Sequence, residues 1–197
     1  MRKFFLVMLC MIAAVAVNAQ GIGLKAGINL ANVSSEGESA DMKMGFHFGV
    51  VSELALSDAL YFAPGLIYSQ KGYQYKLDLG IISFDEKYTY TYLEVPLDFI
   101  YKMDLGGDSK FTIAAGPYLA YGLNVSYKDE DGNESESFKD MGMKSLDFGL
   151  NLGVGVEFSA LKISAQYGLG LANTSDMDDY KETNNVIGIS VGYFFGR

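Results

Sequence analysis

The chain lacks most of what thiol, metal or nucleic-acid chemistry requires. Its 197 residues include one cysteine, one histidine, three prolines and no tryptophan. Basic residues are also in the minority, and a formal net charge of -9 argues against nucleic acid as a partner, because phosphates need a basic surface. After residue 20 no apolar run approaches the roughly 20 residues that a helix needs to cross a bilayer. Any passage through a membrane must therefore be made by strands.

What is present begins with an export signal. Arg2 and Lys3 precede an apolar run from Phe4 to Val17, closed by Val17-Asn18-Ala19 before Gln20. A basic start, a short apolar middle and a small-residue site read as a signal peptide for Sec-type export, cleaved after Ala19. Leu9 is bulky and the run continues past Cys10, which argues against lipid attachment there. Cleavage leaves residues 20–197 as one domain. It removes the cysteine, so an internal disulfide is excluded. It also moves the formal net charge from -9 to -11 by removing Arg2 and Lys3.

The 14 tyrosines, 13 phenylalanines and 23 glycines favour strands joined by tight turns. Period-two alternation gives the clearest signal: Leu146, Phe148, Leu150, Leu152, Val154, Val156 and Phe158 oppose Asp147, Gly149, Asn151, Gly153, Gly155 and Glu157. A strand puts all of those apolar side chains on one face, whereas a helix scatters them. The same reading predicts strands near Ile22 to Leu30, Gly45 to Leu56, Leu60 to Tyr75, Tyr88 to Lys102, Phe111 to Tyr127, Leu161 to Leu171 and Val186 to Phe195. Together these make eight. Ile81, Ile82 and Phe84 extend the hairpin around Lys76 to Lys87.

Short links at Ser57 to Ala59, Met103 to Lys110 and Ser159 to Ala160 alternate with long ones at Ala31 to Met44, Lys128 to Lys144 and Ala172 to Asn185. A transmembrane barrel has that pattern, with short periplasmic turns, long outer loops and both termini periplasmic. Alternation alone does not say which face points inward. The polar face is rich in Gly149, Gly153, Gly155, Gly168, Gly170, Gly188 and Gly192, which suit a crowded lumen better than the exterior of a soluble barrel. Tyr68, Tyr88, Tyr101, Tyr127 and Tyr193 end the apolar stripes as an interfacial girdle does. The expected fold is an all-β, eight-stranded antiparallel up-and-down transmembrane β-barrel in the outer membrane.

Several stretches occur in an order that resembles the PorT-like outer-membrane β-barrel domain family of Bacteroidota. They are Gly27-Ile28-Asn29-Leu30, Gly45-Phe46-His47, Tyr68-Ser69-Gln70-Lys71-Gly72, Tyr92-Leu93-Glu94-Val95-Pro96-Leu97, Ala115-Gly116-Pro117-Tyr118, Asp147-Phe148-Gly149-Leu150 and Tyr167-Gly168-Leu169-Gly170-Leu171. The resemblance implies a small barrel of the eight-stranded kind and supports location more than function. Such barrels commonly end in an aromatic residue read by the assembly machinery. Here Gly196 and Arg197 follow Phe194 and Phe195.

The alternation places Lys25, Asn29, His47, Glu53, Glu94, Asp98, Thr112, Tyr118, Asp147, Asn151, Glu157, Lys162 and Gln166 in the lumen. Eight strands leave an interior just wide enough for side chains, and buried charges need partners. Lys25 and Lys162 are therefore expected to neutralise some of Glu53, Glu94, Asp98 and Glu157 in a structural plug. The leading expectation is a non-enzymatic barrel without cofactor or metal, surrounded by outer-membrane lipid and presenting its loops for binding or adhesion. A narrow channel or small-ligand carrier is one alternative. A lipid-modifying enzyme using His47 as general base is another. The loops are acidic: Glu36, Glu38 and Asp41 in the first, Asp129, Glu130, Asp131, Glu134, Glu136 and Asp140 in the third, and Asp176, Asp178, Asp179 and Glu182 in the fourth. They suit an extracellular protein partner or divalent cations, although Gly132 falls at the wrong position for an EF-hand.

Overall fold

The computed structural model describes residues 21–35, 38–78, 83–128, 133–177 and 181–195. The predicted signal peptide, Ile81, Ile82, Glu36, Asp129, Glu130, Asp131, Asp178 and Asp179 lie outside the described residues. The elements are β1 Gly21–Ser35, β2 Glu38–Ser39, β3 Asp41–Ala55, β4 Leu60–Asp78, β5 Ser83–Gly106, β6 Ser109–Lys128, β7 Asn133–Glu136, β8 Leu146–Phe158, β9 Leu161–Gly170 and β10 Glu182–Phe195. Eight of them form an antiparallel meander in the order β10-β9-β8-β6-β5-β4-β3-β1, and pairing of β10 with β1 closes the ring. The short β2 and β7 are additions at the long-loop end, paired to β1 and β6.

The predicted strands all appear, most of them longer than expected at the long-loop end. The hairpin of β4 and β5 extends as far as Asp78 paired with Ser83, with Leu77 opposite Phe84. All three prolines sit inside strands, at Pro64 of β4, Pro96 of β5 and Pro117 of β6. Proline donates no ladder hydrogen bond. Pairing accordingly lapses at Gly65–Leu66 and at Leu97–Asp98 and resumes in the same register.

Burial settles the orientation that alternation left open. In β8 the apolar residues Leu146, Phe148, Leu150, Leu152 and Val154 are exposed, while Asp147, Gly149, Asn151 and Glu157 are buried. The same inversion holds in β1, β3, β9 and β10, where Leu24, Ile28, Phe46, Phe48, Ile163, Tyr167, Ile189 and Val191 face out. An apolar belt of this extent far exceeds the patches that water-soluble monomers expose. It fits a lipid-facing wall.

Three of the five girdle tyrosines face outward. Tyr101 and Tyr193 are exposed near the short-turn end, and Tyr68 stacks outside on Phe48 with ring centroids 5.1 Å apart. Tyr88 instead packs against a buried cluster at the long-loop end and lies 4.9 Å from Tyr127 and from Tyr73. The expectation that Tyr88 and Tyr127 face the membrane interface is thus corrected. The extended β4, β5 and β6 carry them past the apolar belt, into a local aromatic ladder.

Candidate functional site in the lumen

The lumen is organised in layers. At the long-loop end a cap is built on Val33, Tyr90, Tyr92, Ala120, Val125 and Phe138. Phe138 comes from the third long loop, so the loop itself supplies the stopper. Its carbonyl accepts the Met143 N–H at 2.8 Å. The start of β10 adds Glu182, whose carboxylate accepts the Tyr90 hydroxyl at 3.2 Å.

Beneath the cap, Lys71 of β4 bridges Glu94 of β5 at 2.9 Å and Asp147 of β8 at 3.1 Å. Its ammonium also lies 4.2 Å from the centroid of the Tyr118 ring. Asn184 of β10 donates to Asp147 at 3.1 Å and to the Tyr92 hydroxyl at 3.3 Å. Four strands that are not all neighbours are thereby tied across the barrel interior.

The middle layer holds the only histidine. His47 Nδ1 lies 2.8 Å from Asn29 Oδ1, and Nε2 lies 2.8 Å from Ser190 Oγ. The Asn29 amide group donates to Ser69 Oγ at 3.1 Å and to the Gln70 carbonyl at 2.9 Å. Its Oδ1 is therefore left to accept from His47, which puts the proton on Nδ1 and leaves Nε2 to accept from Ser190. Gly27 makes room for this ring, because a Cβ there would lie 2.7 Å from His47 Cε1 and only 2.0 Å from the Ile189 carbonyl oxygen.

Nearby, Lys25 donates to Gln166 at 2.9 Å, and Asn151 donates to Asp98 at 3.4 Å. Two small cavities, of about 50 and 60 Å³, share Lys25, Pro96 and Gln166 in their linings. They accommodate water or a very small solute.

Toward the short turns, Lys102, Glu53, Lys162 and Glu157 form a closed ring of alternating charge. Lys102 bonds Glu53 and lies 2.7 Å from Glu157, while Lys162 lies 3.2 Å from Glu53 and 3.5 Å from Glu157. Lys102 also sits 4.3 Å from the centroid of the Tyr61 ring. A recess lined by Tyr61, Lys102, Lys110 and Asp108 opens below this ring.

The predicted lumen residues do face inward, but their partners differ from expectation. Lys162 pairs with Glu53 and Glu157 as foreseen. Lys25 bonds an amide, Gln166, and the two central cations are Lys71 and Lys102. Neither belongs to the predicted lumen set, although their spacing contains the signal. Lys102 shares the parity of Glu94 and Asp98, and Lys71 shares that of Ser69. Lys102 stands at the end of its predicted strand, where alternation stops carrying information, whereas Lys71 lies within the predicted strand from Leu60 to Tyr75. In the structure both strands run on.

In the acidic loops, Asp176, Glu134, Glu136 and Asp140 are exposed, whereas Glu182 is buried. Among the described residues no three His, Cys, Asp or Glu side chains are placed to hold a metal ion. Glu182 lies beyond the exposed apolar stripe of β10, which ends at Ile187. Burial lifts its carboxyl above the ordinary carboxylate range, and the Tyr90 hydrogen bond opposes this only in part. A group whose folded-state affinity for a proton is raised favours folding below its ordinary titration range, and that contribution is lost as pH rises. Glu182→Gln keeps an acceptor for Tyr90 and removes the buried charge. It should raise the unfolding midpoint in detergent at pH 7 and give no gain below the ordinary carboxylate range. An equal shift at both pH values would show that the charge is not the cause.

Chemically, the Ser190, His47 and Asn29 chain has the order of a nucleophile, base and orienting group. All three point into the lumen and are buried, with His47 6% exposed, beside a cavity of about 50 Å³. An acyl chain has no room there, and the chain of hydrogen bonds acts to lock β1, β3, β4 and β10 together.

Comparison with known proteins agrees with this architecture. Neisserial surface protein A aligns with a TM-score of 0.52 at 17% identity, over 87% of this chain and 96% of that one. The outer membrane protein OprG from Pseudomonas aeruginosa aligns at 0.48 and 16% identity, over 91% and 98%. The outer membrane enzyme PagL aligns at 0.48 and 14%, over 87% and 98%. Of the three only Neisserial surface protein A exceeds a TM-score of 0.5, and at 17% identity it speaks for the fold alone. No curated sequence matches the chain. The family model described as outer membrane protein beta-barrel domain matches residues 18–176, so the closed ring, the lipid-facing belt and that match together place this chain in the outer-membrane β-barrel domain family.

Proposed function

We propose that the protein is a non-conducting, non-enzymatic outer-membrane barrel whose long loops face the cell exterior and make its functional contacts. The observation that carries this reading is the filled lumen. Among the described residues, two layers of paired charge and the Phe138 cap enclose small cavities of about 50 and 60 Å³, dimensions that favour a blocked interior over a channel. A rigid, blocked barrel is a platform for what stands on it. Cleavage after Ala19 and placement of both termini in the periplasm belong to the same reading, as do lipid around the belt and the assembly machinery acting on the C-terminal strand. The exposed acids of the third and fourth loops, continued in sequence by Asp129 to Asp131, Asp178 and Asp179, favour a basic protein surface or divalent cations as their contact.

In planar bilayers the purified protein should show no steady conductance, and in cells the third loop should be reached by an impermeant label. A stable open level for the wild-type protein would defeat the proposal in favour of a narrow channel. A second reading, lipid modification through His47, draws on the 2.8 Å contact with Ser190. Unchanged lipopolysaccharide acylation by mass spectrometry, on overexpression and in His47→Ala alike, would remove it.

A further inference from the structure

Phe138 stands apart from its own loop. Ser137, Lys139 and Asp140 around it are exposed, yet its ring is sunk to 2% exposure. The slot that holds it is made by barrel strands. Tyr90 and Tyr92 of β5 flank the ring at centroid distances of 6.0 and 5.1 Å, tilted by 52° and 57°. Gly122 of β6 gives the slot its depth, since a Cβ there would lie 2.4 Å from the Phe138 ring.

The two tyrosine walls are positioned by bonds to β10 rather than to the loop. The Tyr90 hydroxyl is bonded to Glu182 and the Tyr92 hydroxyl to Asn184, and both tyrosines belong to a strand paired on each side. The segment that carries Phe138 is shaped by its own bonds, Ser137 Oγ to Asp140 at 2.7 Å and the Met141 N–H to the Ser137 carbonyl at 3.2 Å, while the flanks of the loop are tied down, by β7 on β6 before it and by the Gly122 N–H on the Ser145 carbonyl at 2.6 Å after it.

We propose that this slot is a binding site for an exposed aromatic side chain of a partner, and that Phe138 occupies it as an internal stand-in which the partner's ring displaces. The ligand chemistry is read from the occupant: a flat apolar ring of phenyl size, held by tilted contacts with two tyrosines, an arrangement aromatic pairs favour. Exchange of one ring for another leaves the buried apolar area nearly unchanged, so the tethered Phe138 competes mainly through its high local concentration. The inference names the partner chemistry for the loop-mediated contacts proposed above and rests on that reading.

The test uses the mature protein in lipid nanodiscs with isotope-labelled tyrosine rings, and N-acetyl-phenylalanine amide as probe. Phe138→Ala should bind the probe roughly tenfold or more tighter than wild type. The Tyr90 and Tyr92 signals should move, and N-acetyl-leucine amide should bind much more weakly. Adding Gly122→Val to Phe138→Ala should abolish binding. Unmoved Tyr92 signals in Phe138→Ala, or binding that survives Gly122→Val, would overturn the proposal.

Should Phe138→Ala fail to fold, Gly122→Val alone serves, because its side chain takes the ring's place. The third loop should then become cleavable by added protease in an intact barrel, and a loop as protected as in wild type would count against the slot. Conductance by the wild-type protein would defeat the platform reading and leave the probe measurement standing. Failure of the probe defeats the slot alone.

Discussion

Replacing Lys102 by methionine should cost the barrel about 3–5 kcal/mol, the usual consequence of removing one partner from a buried ion pair. The cost is large because the lysine closes a ring of alternating charge. Glu53 and Glu157 each touch both Lys102 and Lys162, and all four side chains are 12% exposed or less. With Lys102 gone, two buried carboxylates share one ammonium. Methionine has nearly the length of lysine, so packing loss is small and the effect isolates the charge.

Urea unfolding in detergent, or the temperature at which the folded band disappears from unboiled gels, reads the loss directly. Glu157→Gln in the same chain should recover part of it by removing one of the two uncompensated acids. Lys110→Met is the control. Its contact with Asp104 is 3.7 Å long, with the Asp104 side chain 83% exposed, and such pairs contribute at most about 1 kcal/mol. Equal effects for Lys102→Met and Lys110→Met would refute the layered account of the lumen.

Lys71→Met should be comparably damaging, again on the order of 3–5 kcal/mol, at the other end of the interior. Lys71 is the cation for both Glu94 and Asp147, and Asp147 is 0% exposed. The substitution also removes the ammonium from the Tyr118 ring, a contact of about 0.5–2 kcal/mol. Asp147→Asn should rescue a substantial part of the loss, because an amide accepts from Asn184 without the cost of an unpaired charge. If Asp147→Asn fails to rescue while Glu94→Gln does, the main penalty resides in Glu94. Conductance separates the two layers further. Loss of Lys71 should leave the bilayer silent, since the Lys102 ring still closes the path below it.

Much of this was legible without coordinates, for a physical reason. A strand sends successive side chains to opposite faces, so residue parity in a regular strand is a direct statement of direction. Asp147, Asn151 and Glu157 could be assigned to one face from parity and to the lumen from the glycines that share that face, and they lie there. Parity failed where regularity failed. A bulge between Met42 and His47 shifts β3 against β4, another lies at Thr91 and Tyr92 of β5, and the strands continue beyond their apparent ends. Lys71, Lys102 and Tyr88 all fall near such places.

What the sequence by itself determined is the strand meander, the closed barrel, the polar side of every regular strand and the surplus of acid in the long loops. All of these follow from local alternation and loop length. Only the tertiary structure decided which charges meet. Lys71 reaches Asp147, 76 residues away, and Lys162 reaches Glu53, 109 residues away, because barrel closure and strand register bring far segments of the chain to one height. It also decided that Phe138, in a stretch with no alternation to read, turns inward. Burial in a slot made by β5 and β6 favours that placement, and the slot exists only after those strands have paired.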